Sequence, residues 1–177
     1  MKRIEFQRGA NLSVTIYNPA PLPSNEAARN QAVYASGLLE NSDDTALNRL
    51  SVLAKDLFRA DWAGITLIYD DVQCVIASSG GRLGHYDRAR SMSAYAILAP
   101  SKVFCLADAK EDGRFSANPF VRVGLIRFFI AAPVIDAQGY ALGTLCVSSS
   151  LPRHAIDPEA LAKLQNLAAQ IAHRAAA

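Results

Sequence analysis

RFFIAAPVIDAQGYALGTLCV, residues 127–147, is the stretch whose reading decides the fold. Two apolar runs flank a short polar break, Asp136-Ala137-Gln138-Gly139. A break of this size with Gly predicts a hairpin, and so antiparallel strands. Antiparallel strands with one wet face alternate apolar and polar residues. These barely alternate, so both faces are expected to be covered.

Directly opposed residues of a hairpin share a face. Pairing Ile135 with Tyr140 groups Phe129, Ala131 and Pro133 with Leu142, Thr144 and Cys146. It groups Phe128, Ile130, Ala132 and Val134 with Ala141, Gly143, Leu145 and Val147. The second set is wholly apolar, as a helix-packed face should be. The first is smaller and slightly polar, which suits a ligand cavity. A bulge at Pro133, which has no N–H to donate, would break this parity.

Working outward, WAGITLIYD (62–70) and VQCVIAS (72–78) predict two more strands around an Asp-Asp turn, and KVFCLAD (102–108) another. GGRLGHYDR (80–88) reads as a loop, SAYAILA (93–99) as a short helix ended by Pro100, and DAKEDGRFSANPF (108–120) as a loop or broken helix. A helix is expected over about 25–36, capped by Ser24 and stopped near Gly37. A second, capped by Asp43 or Asp44, runs to about 59 with Leu47, Leu50, Val52-Leu53-Ala54 and Leu57-Phe58 on its core stripe. A closing helix follows Pro158 to about 174. Residues 1–23 read as an arm, either a poorly ordered tail or an extra hairpin over 1–17, joined by the proline-rich NPAPLP (18–23). This order, with helices grouped at the ends of sequential hairpins, predicts an α+β domain over 24–177, an antiparallel sheet with helices on one face.

The 177 residues suffice for one domain with a real core, and 51% hydrophobic against 19% charged residues fits a folded one. A net charge of +2 without any Lys/Arg run argues against nucleic acid. No apolar stretch reaches the ~18 residues of a membrane helix, and MKRIEFQRGAN lacks the apolar core of a signal peptide. Three scattered cysteines, Cys74, Cys105 and Cys146, each in an apolar run, suit buried thiols in a reducing cytoplasm rather than disulfides or a zinc site.

Four ordered motifs then carry a resemblance: NEAAR (25–29) with GLLEN (37–41), SMSAYAI (91–97), LADAKEDGRFSANP (106–119) and the opening hairpin. Together they resemble GAF domains of the branch found in bacterial sensor kinases and cyclic-di-nucleotide enzymes. The resemblance covers about 25–172. It implies a six-stranded antiparallel sheet, terminal helices on one face, and loops and short helices enclosing a small-molecule pocket on the other. It also implies dimerisation through the terminal helices and an output domain or signalling partner. The family's helix Cys and His are here Ser93 and Tyr95, which argues against metal or redox sensing.

The candidate ligand pocket comprises Ser91, Ser93, Tyr95, Asp108, Phe115, Asn118, Phe129, Ala131, Thr144 and Cys146. Each has a plainer reading beside it. Cys146 is a small buried hydrophobe unless a base stands near it. DAKEDGRF is a solvated loop with Asp–Arg pairing before it is a metal or acid/base site. Tyr95 and Ser93, at spacing two, do not share one helix face. The reading is a sensory module without catalysis, binding an unknown small ligand and no predicted cofactor. Two alternatives stand beside it: a thiol-dependent reductase of the free methionine sulfoxide type, which needs converging thiols, and a ligand-free dimerisation scaffold.

Overall fold

The computed structural model describes residues 17–175. The hairpin expected over 1–17 lies, but for Tyr17, outside them. The described elements are α1 (Glu26–Ala35), α2 (Thr45–Leu57), β1 (Trp62–Tyr69), β2 (Val72–Ser78), β3 (Gly84–Asp87), a 3-10 turn (Arg88–Arg90), α3 (Ser93–Ala96), β4 (Phe104–Leu106), α4 (Pro119–Arg122), β5 (Phe128–Ile135), β6 (Ala141–Ser149) and α5 (Pro158–Arg174). The six strands form one antiparallel sheet in the order β3-β2-β1-β6-β5-β4. The α+β architecture is therefore the expected one.

The helices α1, α2 and α5 pack on one face. The core there joins Leu47, Leu50 and Ala54 of α2 and Leu164, Ala168 and Ile171 of α5 to Ile65, Phe128, Ile130 and Leu145 of the sheet. Asp44 caps α2 by accepting the N–H groups of Ala46 and Leu47 at 2.8 and 2.9 Å. Asp157 caps α5 in the same way through Glu159, with Pro158 in the first turn, where its missing N–H costs nothing. Ser24 does not cap α1: the N-cap is Asn25, which makes no side-chain bond.

What holds α1 is Arg29. Its side chain is 1% exposed. Its guanidinium donates to the carbonyls of Ile68 and Ala141, at the ends of β1 and β6, and pairs with Glu26. Glu26 also pairs with Arg88 of the 3-10 turn. Burial alone would raise the Glu26 carboxyl, but the hydrogen bonds from Arg29 and Arg88 bring it down to about 2.

The hairpin register follows the expected parity from Phe128↔Ser149 to Val134↔Gly143. Pro133 stays in step with Thr144, and the irregularity comes at Val134/Ile135, where Ile135 pairs with Ala141 and leaves Leu142 extra. This corrects two placements. Leu142 joins the helix-side core, and Ala141 packs on the other side with Ile68, Ala94 and Ile97. Two other expectations need correction. GHYD is a strand, β3, where a loop was expected; it is a polar edge with no apolar signal. KVFCLAD is a strand only over Phe104–Leu106.

Candidate functional site

On the face away from the terminal helices the chain builds a second, smaller cluster around Met92, Phe115, Val121, Phe129, Ala131 and Cys146. Beside it lies a cleft of about 580 Å³, between the sheet and the segment running from Arg82 to Ile126. Its floor comes from strand positions that share this face: Trp62 of β1, Gln73 and Val75 of β2, Phe129 of β5, Cys146 and Ser148 of β6. Tyr86 of β3, opposite Gln73, completes the floor, and the roof comes from Arg90, Ser91, Met92 and Ser93 on one side and from Phe120, Leu125 and Ile126 on the other.

Backbone geometry shapes the floor. A Cβ on Gly64 would fall 2.4 Å from the Trp62 ring, so the glycine lets the indole lie against the strand. The Trp62 indole N–H donates to the Gly80 carbonyl at 2.8 Å, which fixes the ring. Cys146 lies opposite Gly64 in the β1–β6 ladder, and its thiol donates to the Gly64 carbonyl at 3.4 Å. Burial pushes this thiol up to about 11. A thiol held protonated is a poor nucleophile.

Next to Cys146, three hydroxyls form a buried chain. The Thr66 and Thr144 oxygens are 3.0 Å apart, and Thr144 donates to Ser93 at 2.9 Å. Since Thr144 spends its hydrogen on Ser93, Thr66 is the donor of the first bond. This chain ties α3 to the sheet centre. Ser91 steadies the approach to α3: its oxygen accepts the Ala94 N–H at 3.0 Å, and its hydroxyl donates to the Gln73 side-chain oxygen.

The ten residues expected to form the pocket separate into two groups. Ser91, Ser93, Phe129 and Cys146 border the cleft. The other six do not, each for a physical reason. Thr144 is fully buried by its bonds to Thr66 and Ser93, and Ala131 is covered within the apolar cluster. Phe115 is a core residue flanked edge-on by Tyr95 and Phe104. Asn118 caps α4 through the Phe120 N–H and donates to the Arg90 carbonyl, so it pins the roof without facing the cleft. Asp108 pairs with Arg127, whose hydrogen bonds hold the carboxyl near 2. Tyr95 turns outward, donates to the Asn18 carbonyl at 2.6 Å, and packs with Phe115 under the Arg114 guanidinium.

Sequence reading missed Trp62, Gln73 and Val75. The signal was available: extending the face assignment from the hairpin to the two preceding strands puts alternate residues of β1 and β2 on the Cys146 face. The thiols do not converge. Cys105 pairs with Ile130 while Ala131 pairs with Cys146, so the two side chains leave opposite faces of the sheet. Cys74 belongs to the helix-side core. Cys105 was expected to be buried, but it is exposed on the edge strand β4. Among the described residues no group of three or more His, Cys, Asp or Glu side chains could hold a metal ion. No described helix is long and apolar enough to cross a membrane.

The GAF domain model matches residues 43–174. A cyclic di-GMP phosphodiesterase of Pseudomonas aeruginosa is 36% identical over 149 residues, 84% of this chain and 25% of that protein. The chain thus spans a quarter of the length of that relative. Among solved structures, the GAF domain of an Acinetobacter phosphoenolpyruvate-protein phosphotransferase is similar with a TM-score of 0.63 at 17% identity, over 88% of this chain and 95% of that one. The PixJ GAF domain of Thermosynechococcus elongatus, in its blue-light absorbing form, gives 0.60 at 13%, over 88% and 89%. A free methionine-R-sulfoxide reductase of Neisseria meningitidis, in complex with its substrate, gives 0.59 at 17%, over 88% and 93%. At these identities the structures speak for the fold alone.

Proposed function

The chain belongs to the GAF domain family, and from that premise we propose that it is a cytoplasmic sensory module that binds a small molecule in the cleft over Trp62, Phe129 and Cys146. The observation that carries this reading is the cleft itself. It has about 580 Å³ of space, a mostly apolar lining, and a few placed polar groups in Gln73, Ser91 and Ser93. Binding, rather than reaction, is what these groups suit, since the one thiol on the cleft wall is held protonated.

A ligand would order the segment from Arg82 to Ile126. Arg88 lies in that segment and pairs with Glu26 of α1, so the cleft is mechanically connected to a terminal helix. A ligand that prefers one arrangement of this contact shifts the helix with it. The helices α1 and α5 are the expected dimer contacts, and an output domain or partner protein receives the signal. The curated relative, four times longer than the region matched here, is named for an activity of the whole protein.

The test is native mass spectrometry after exposure to a small-molecule extract of the native organism. The parent protein should carry a bound mass. Ser148→Phe, which places a ring in the cleft opposite Phe129, should not. A bound mass that survives Ser148→Phe would place the ligand elsewhere. Protein that stays bare would favour the scaffold reading.

A further inference from the structure

On the reading of the cleft as a ligand site, we infer that it takes an uncharged ligand: a flat apolar body carrying one hydrogen-bond acceptor, such as a ketone or amide carbonyl, aimed at Gln73. Three independent features of the cleft support this.

The first is the donor. The Ser91 hydroxyl accepts the Ala94 N–H and donates to the Gln73 side-chain oxygen, which leaves the amide nitrogen for other partners. The Gln73 amide nitrogen then has no hydrogen-bond partner among the described residues, and Gln73 lines the cleft. A ligand carbonyl that reaches this nitrogen gains one hydrogen bond.

The second is charge balance. Two arginines, Arg82 and Arg90, and two aspartates, Asp61 and Asp87, border the cleft. Arg90 faces Asp87 at 3.8 Å. Asp61 accepts the N–H and the hydroxyl of Ser150 at 2.7 and 2.8 Å. The four groups sum to zero, so the cleft as a whole offers an ionic ligand no net opposite charge.

The third is the lip. Phe120, Val123 and Leu125 stand 40%, 70% and 61% exposed on and after α4, and Phe120 and Leu125 border the cleft. Inside, the apolar surface continues through Met92 and Phe129 to the fixed indole of Trp62. A flat apolar body running from the lip to Gln73 covers this surface in one piece, and the Trp62 face favours a planar group.

The experiment is equilibrium dialysis of the full chain against 2-acetylnaphthalene, naphthalene and 2-naphthoate. These share one body and differ in acceptor and charge. The acetyl compound should bind about 3–10-fold tighter than naphthalene, the worth of one hydrogen bond. It should bind at least about tenfold tighter than the carboxylate. Gln73→Met should bring the acetyl compound down to the affinity that naphthalene has for the same variant, and saturable naphthalene binding by that variant shows that the cleft still forms. Tighter binding of the carboxylate by the parent protein, or an acetyl preference that survives Gln73→Met, would overturn this ligand class and leave the cleft a ligand site. If none of the three probes bound saturably, this ligand class would be overturned, and the bound mass in the native extract decides the ligand site separately.

Discussion

Replacing Glu26 by Gln isolates the contact that joins α1 to the 3-10 turn beside the cleft. In the folded protein the Glu26 carboxyl sits at about 2, against an ordinary 4.5. That gap corresponds to roughly 3 kcal/mol at most, and partial solvent access reduces it to about 1–2 kcal/mol. The substitution has a second cost. Arg29 and Arg88 are almost fully buried and keep their charges with no carboxylate to meet them. Breaking such a pair from one side costs about 3–5 kcal/mol when it is fully enclosed. Gln retains an acceptor oxygen and Arg29 retains its two carbonyl partners, so about 2–4 kcal/mol is expected at pH 7. For a chain of this size that lowers Tm by about 5–15 °C. The pH dependence carries the signature. The folded-state pKa is depressed, so the Glu26 contribution is complete above the ordinary carboxyl range and is lost as pH falls from 4.5 towards 2. Other carboxylates titrate in both proteins and cancel in the difference. Urea unfolding of parent and Glu26→Gln, followed by circular dichroism from about pH 7 to about pH 2.5, measures that difference. It should be constant above about pH 5.5 and shrink below about pH 4.5. A difference that stays flat over the whole range would refute the argument, as would a parent protein no more stable than the variant at pH 7.

Two further substitutable positions test the sheet and the cleft wall. Gly143→Ala puts a Cβ 1.8 Å from the Thr66 carbonyl oxygen, a clash with backbone that no rotamer relieves, so a loss of about 3 kcal/mol or more is expected in denaturant titration; a loss under about 1 kcal/mol would show that β1 and β6 pack less closely than described. The Cys146 thiol, raised to about 11 and enclosed, should resist iodoacetamide at neutral pH in the native protein and react once urea unfolds it; rapid native alkylation at Cys146, read by peptide mass spectrometry, would contradict its burial.

The sheet was legible because hydrophobic runs and turn residues report strands directly, and the helix and cavity faces of β5 follow from counting alone. The count holds until Leu142, because a bulge adds a residue without leaving a sequence mark. β3 was illegible for another reason: an edge strand of Gly84, His85, Tyr86 and Asp87 has no buried face to impose alternation. The cleft was legible in part. Ser91 and Ser93 lie at the start of the one-turn helix that they tie to the sheet, and Phe129 and Cys146 follow from strand parity. Tyr95 lies off the cleft, and a helix of four residues has no periodic face, so sequence spacing does not say which way it turns. Arg29 gave no hint of burial. An arginine in an amphipathic helix reads as solvated, and only the fold brings it to the carbonyls at the ends of β1 and β6.

The central claim is that the space over Trp62, Phe129 and Cys146 receives a small molecule. The most direct measurement is a crystal structure of the protein purified from its native organism. Electron density for a bound molecule is predicted between the Trp62 indole and the Gln73 amide. A cleft closed by its own side chains, with Phe120, Leu125 and Met92 packed into the space, would contradict the claim.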